Sequence, residues 1–129
     1  MKTCLVVDDS SVVRKVARAI LEELGFSVEE AADGAPALAA CARAMPDAIL
    51  LDWSMPVTDG LTFLKALRAS SAGHRPKVIF CTAKNDMDHI ARAIEVGADE
   101  YIMKPFDAEI LREKLEAVGL LVPPAGEEA

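Results

Sequence analysis

Asp52 closes the apolar run Ala48-Ile49-Leu50-Leu51, and Asp8-Asp9 closes Cys4-Leu5-Val6-Val7 in the same manner. Thr82 follows Lys77-Val78-Ile79-Phe80-Cys81, and Lys104 follows Glu100-Tyr101-Ile102-Met103. A strand buried on both faces has no use for an acid unless its end opens into a site. Three carboxylates, a hydroxyl and an ammonium at strand ends form a set that can handle phosphate. The aspartate is a nucleophile for phosphorus, and the hydroxyl and ammonium can bind phosphoryl oxygens. Packed acids repel by about 4 kcal/mol at about 4 Å and an effective dielectric near 20, so positive charge must offset them. Lys104 supplies one charge, and a hard divalent cation on oxygen ligands, Mg2+ where phosphate is involved, would supply the rest.

These residues meet only if the strands lie parallel with their carboxyl ends on one edge. The spacing predicts that arrangement. Cys4 to Val7 is a strand, and Ser10 or Ser11 caps a helix with Val13, Val16, Ala17, Ile20 and Leu24 on one face, stopped by Gly25. Ser27 to Ala31 is a second strand, Asp33-Gly34 a turn, and Ala35 to Ala44 a second helix with Pro36 in its first turn. Pro46-Asp47 ends it, and the strand to Asp52 follows, leading through Met55-Pro56 and Asp59-Gly60 into a helix over Thr58 to Ala69. After a loop over Ser70 to Pro76 come the strand Lys77 to Cys81 and a helix over Asp86 to Val96, with Ile90, Ala93 and Ile94 apolar and Gly97 at its end. The short strand Glu100 to Met103 precedes a helix over Asp107 to Val118, capped by Asp107, with Ile110, Leu111, Leu115 and Val118 inward. Five strands alternating with five helices form an α/β, (βα)5 series, in which right-handed crossovers give a parallel sheet covered on both faces.

A chain of 129 residues is one domain, large enough to bury a core. The formal net charge of −7 disfavours nucleic acid, which needs clustered Lys and Arg. Cys4, Cys41 and Cys81 are scattered among apolar residues and read as small buried hydrophobes in a reducing compartment. The amino-terminal run is too short for a signal peptide, and no stretch reaches the roughly 20 apolar residues of a membrane span. A cytoplasmic protein without membrane insertion is the expectation.

Asp8-Asp9, Asp52 with Met55-Pro56-x-x-Asp59-Gly60, Thr82-Ala83 and Lys104-Pro105-Phe106, in this order, resemble the receiver domain of two-component response regulators. The resemblance covers about residues 3 to 119, so we expect a receiver domain over 1–119 and a short tail over 120–129. It implies a flavodoxin-like fold with strand order 2-1-3-4-5, an order already given for this fold type in general. It implies that Asp52 accepts a phosphoryl group from a histidine kinase. Asp9 and Asp52 would bind Mg2+ directly with the Ser54 backbone carbonyl, and Asp8 would assist, often through water. Thr82 and Lys104 would engage the phosphoryl group, and the Lys104-Pro105 bond would be cis. In the implied switch, Thr82 moves toward the phosphoryl group, Tyr101 turns inward behind it, and a protein-binding surface over residues 86 to 119 changes.

Within the family, Asp52-Trp53-x-Met55-Pro56, Glu22-Glu23-Leu24-Gly25-Phe26, Tyr101 and Lys104-Pro105-Phe106 are most similar to stand-alone chemotaxis regulators. Ser54 and Lys84 depart from that pattern, standing where Asn and an acid are frequent, which bears on the lifetime of the acyl phosphate. The alternatives are a phosphate shuttle to a histidine phosphotransfer protein and a regulator of another pathway. A hydrolase resembling the haloacid dehalogenase-like phosphatases would need a second acid two residues after the first, where Ser54 stands. As isolated features, Asp8-Asp9 would be helix-dipole partners, Thr82 a strand end and Lys104 a solvated residue; together they outweigh those readings. Trp53 beside the acid either gates access or covers the loop. His74 and His89 read as isolated and exposed.

Overall fold

A computed structural model describes residues 2–53, 59–82 and 87–122. Five strands, Thr3–Val7 (β1), Ser27–Ala31 (β2), Ala48–Asp52 (β3), Lys77–Thr82 (β4) and Glu100–Met103 (β5), alternate with five helices. The helices are Ser11–Glu23 (α1), Gly34–Arg43 (α2), Gly60–Ala69 (α3), Met87–Val96 (α4) and Ala108–Ala117 (α5). All strand pairs are parallel, in the order β2-β1-β3-β4-β5. The central strand β3 is buried at every position, which is why it reads as a continuous apolar run rather than an alternating one.

Alternation along the strands sorts the core into two layers. Leu5, Val7, Ile49, Leu51, Val78 and Phe80 pack with α2, α3 and α4 on one face. Cys4, Val6, Ala48, Leu50, Ile79, Cys81 and Ile102 pack with Ala17 and Leu21 of α1 and Leu111 and Leu115 of α5 on the other. The three cysteines are free and buried. Burial pushes the Cys4 thiol up to about 12 and Cys41 to about 11, and raises Cys81 as well, so all three are held as neutral thiols.

The helix starts are chemically marked. Ser10 accepts from the Val13 N–H at 3.3 Å, Asp59 from Thr62 at 2.8 Å and Asp107 from Ile110 at 2.9 Å, each satisfying an otherwise orphaned donor. Gly25, with φ of 96°, follows α1 in the left-handed region that a C′ residue requires. Asp33-Gly34, read as a turn, is the cap and first residue of α2. The expected start of α3 at Thr58 and of α4 at Asp86 lie outside the described residues, as does the tail beyond residue 122.

The apolar stripes are wider than the faces they bury. Val16, Ile94 and Ile110, all expected inward, are 49%, 44% and 41% exposed. In α1 the inward line is Ala17 and Leu21, and Val16 lies beside it rather than beneath it. In α5, Leu111 and Leu115 already fill the groove against the sheet, leaving Ile110 at the margin.

Candidate functional site

The carboxyl ends of β1, β3, β4 and β5 bring Asp8, Asp52, Thr82 and Lys104 to one edge. Asp8, Asp52 and Thr82 are the buried polar side chains there, at 3%, 6% and 5% exposure. Lys104 reaches across them: its Nζ donates to Asp8 Oδ2 at 2.6 Å and to Asp52 Oδ1 at 2.9 Å. Asp8 is held from behind, since its Oδ1 accepts from the Ser10 N–H at 2.9 Å and its carbonyl accepts from Arg14 Nη1 at 2.7 Å. The start of α1 therefore orients the acid as well as capping itself.

One ammonium serves several acids, and the titration directions reflect this. Burial raises the Asp52 carboxyl above its ordinary value, the Lys104 hydrogen bond and charge oppose the rise, and Asp8 and Asp9 add to it. Burial pulls Lys104 down, but its hydrogen bonds to Asp8 and Asp52 outweigh that and leave it above the usual lysine value. The ammonium is thus fixed in its charged form while the carboxylate remains under-compensated.

Asp8, Asp9 and Asp52 each place a carboxylate oxygen within 4.8 Å of the other two. Asp9 is exposed, so solvent reaches this cluster from its side. An anionic all-oxygen set open to water fits Mg2+, which binds through few carboxylates and keeps several waters. The expected Ser54 carbonyl ligand lies outside the described residues, as do Met55-Pro56, Ala83 and Lys84.

Thr82 ends β4, and its carbonyl accepts from the Lys104 N–H at 2.8 Å, tying the two strand ends together. The Lys104-Pro105 peptide is cis. Tyr101 stands opposite Phe80 in the register and packs on the same core layer. Thr82, two residues beyond Phe80, projects to the same side of the sheet as Tyr101. The Tyr101 ring is half-buried, with Lys114 Nζ of α5 4.4 Å from its centroid.

Two participants were not legible in the sequence. His89, expected to be isolated and exposed, is half-buried and stacked on Trp53, with centroids 4.3 Å apart and planes at 21°. His74 is exposed. Gly60, read as half of a turn signal, is the first residue of α3 and packs directly on the carboxyl end of β3. Its N–H donates to the Trp53 carbonyl at 3.0 Å, and a Cβ there would collide with the Asp52 carbonyl oxygen. The Asp-Gly pair was the available signal for Gly60; nothing in local periodicity marks the His89 contact.

Comparison with known proteins agrees with this geometry. The family model described as response regulator receiver domain matches residues 4–116. The chain is 36% identical to a protein named chemotaxis protein CheY of Pseudomonas aeruginosa over 115 residues, 88% of this chain and 93% of that one. It is 37% identical to the phosphate regulon transcriptional regulatory protein PhoB of the same organism, across 99% of this chain and 56% of that longer protein. Among solved structures, chemotaxis response regulator CheY4 of Vibrio cholerae superposes with a TM-score of 0.87 at 36% identity, covering 92% of this chain and 98% of that one. With the family's sequence pattern, the parallel order and the convergent acids all present in one molecule, the chain belongs to the response regulator receiver domain family.

Proposed function

We propose that this receiver accepts a phosphoryl group on Asp52 from the phosphohistidine of a kinase and switches a protein-binding surface. The observation that carries the reading is the pair of contacts from one Lys104 ammonium to buried Asp8 and Asp52. That arrangement sets a nucleophile beside a fixed cation at a solvent-reached edge. In the transfer, an Asp52 oxygen attacks phosphorus, the P–N bond breaks, and its electron pair leaves on the donor imidazole. Lys104 stabilises charge on the transferred oxygens, and Thr82 donates a hydrogen bond to one of them. Asp9, Asp52 and the Ser54 carbonyl would hold Mg2+ directly, with Asp8 assisting, and the ion would supply positive charge against the phosphoryl oxygens. Hydrolysis returns the Asp52 carboxylate and inorganic phosphate.

Two surfaces support the partner roles. Exposed Val12 and Val16 line, with Lys104, Pro105 and Phe106, an apolar hollow of about 420 Å³. Because Lys104 forms part of its wall, a kinase helix docking there would present its phosphohistidine to Asp52. Met87, Ile94, Met103 and Ile110 are exposed apolar residues of α4, β5 and α5, and Tyr101 of β5 is half-buried. This is the surface assigned to phosphorylation-dependent output, with the Thr82 and Tyr101 pair as its switch. Chemotaxis is the pathway we assign, on the similarity to chemotaxis proteins over most of both chains. Among the described residues no helix is long and apolar enough to cross a membrane.

The test uses a small phosphodonor with Trp53 emission as the readout, since its indole adjoins the acceptor. Emission should change with donor and Mg2+ together, recover as the acyl phosphate hydrolyses, and stay constant when Mg2+ is chelated. A full response in chelator would overturn the metal-dependent transfer.

A further inference from the structure

Trp53 joins the acceptor strand to α4 by a route that avoids Thr82 and Tyr101. Its backbone is fixed on both sides: the N–H donates to the Cys81 carbonyl at 3.1 Å, and the carbonyl accepts from Gly60 at 3.0 Å. The Trp53 backbone then has little freedom of placement. One side of the ring meets fully buried Phe80 edge-on, with centroids 5.1 Å apart and planes at 86°. It stacks on the imidazole of His89, the third residue of α4. The helix is anchored along its length by Ile90 and Ala93, while exposed Met87 begins it. His89 therefore holds the first turn of α4 to the residue that directly follows Asp52.

We infer that His89 is a positioning residue that carries the state of Asp52 to α4 through its stack on Trp53. This rests on the reading of Asp52 as acceptor and adds a second transmission contact to the Thr82 and Tyr101 pair. A phosphoryl group adds about two negative charges at the end of β3, directly beside Trp53. Trp53 cannot move its backbone without breaking two ladder-like hydrogen bonds, so adjustment falls on the ring and on what is stacked against it. A contact with two arrangements, stacked and released, is a bistable element of the kind that reports a ligand's state. Stacking in such pairs is strong enough to change a two-state ratio several-fold. The coupling depends on the flat ring at position 89, not on its titration.

The experiment measures amide hydrogen exchange with and without beryllofluoride and Mg2+, comparing residues 87–96 with residues 100–103, in the full chain. In the unmodified protein both segments should respond. In His89→Ala the α4 response should fall at least threefold, while the β5 response and uptake of one phosphoryl group from a small donor persist. His89→Phe, which keeps a flat ring, should restore the α4 response. A purely structural role would lower the thermal midpoint of His89→Ala without uncoupling the two segments. An α4 response intact in His89→Ala, or lost equally in His89→Phe, overturns the inference, as does a native protein in which β5 responds and α4 does not. If neither segment responds and no phosphoryl group is taken up, the acceptor reading itself fails, and this inference with it.

Discussion

The Lys104 ammonium stands 2.9 Å from Asp52 Oδ1, joining residues 52 positions apart in the chain. The same nitrogen reaches Asp8, so among the described residues one ammonium faces the cluster of three acids. A second cation entering the cluster must work against that ammonium. Unit charges about 4 Å apart interact by about 4 kcal/mol at an effective dielectric near 20, and solvent at exposed Asp9 reduces this, so Lys104→Met should tighten Mg2+ binding roughly tenfold. Titration followed by Trp53 emission checks it; weaker binding would mean that Lys104 orders the acids more than it competes with the metal.

Asp52 should make the metal-free protein less stable as pH rises. Its folded pKa lies above the unfolded value, mainly through burial, so the folded state holds this proton more tightly. The contribution is complete below the unfolded value of about 3.9 and is lost as pH rises through the folded pKa. Asp52→Asn should accordingly raise the thermal midpoint near pH 7 in chelator and flatten the decline above pH 4. In the unmodified protein, Mg2+ at about ten times its Kd should restore about 1.4 kcal/mol. Melting curves across pH, with and without the ion, decide both.

Gly60→Ala separates two opposed effects. In the first turn of a helix the change alone would favour stability by up to about 1 kcal/mol. Here the added methyl meets the Asp52 carbonyl and lies 3.2 Å from Trp53 Cα, both backbone atoms at the carboxyl end of β3. Overpacking against backbone should win, with a net loss of about 1–3 kcal/mol and slower phosphoryl uptake. Urea midpoints and uptake rates should move together.

Arg68 offers a contrast far from the chemistry. Its guanidinium donates to the carbonyls of Gly97, Gly73 and Pro76 and to Asp99, which also accepts from the Val78 N–H. A lysine cannot span that fork, so Arg68→Lys should lose about 2 kcal/mol. Uptake per folded molecule should not change, which calibrates the Gly60 result.

What could be read beforehand follows from what is local. The apolar runs marked the strands, and residue types at their ends marked the site, because both are properties of a few consecutive residues. The strand order came only through family resemblance, since periodicity does not say which strands pair. Val16, Ile94 and Ile110 are exposed because an apolar stripe can be wider than the face its helix buries, and spacing alone does not mark the margin. His89 was missed because its stack depends on how close the start of α4 comes to the end of β3, which neither segment encodes alone. Asp59-Gly60 was recognised as punctuation, but the need for glycine arises from the strand packed against it.

The central claim, that Asp52 is the acceptor, is tested most directly by trapping the acyl phosphate. The protein is loaded from a small phosphodonor with Mg2+, reduced with borohydride, and mapped by peptide mass spectrometry. Homoserine is expected at position 52, one per chain, and none after Asp52→Asn. Reduction at Asp8 or Asp9, or a phosphoryl group that survives Asp52→Asn, would contradict it.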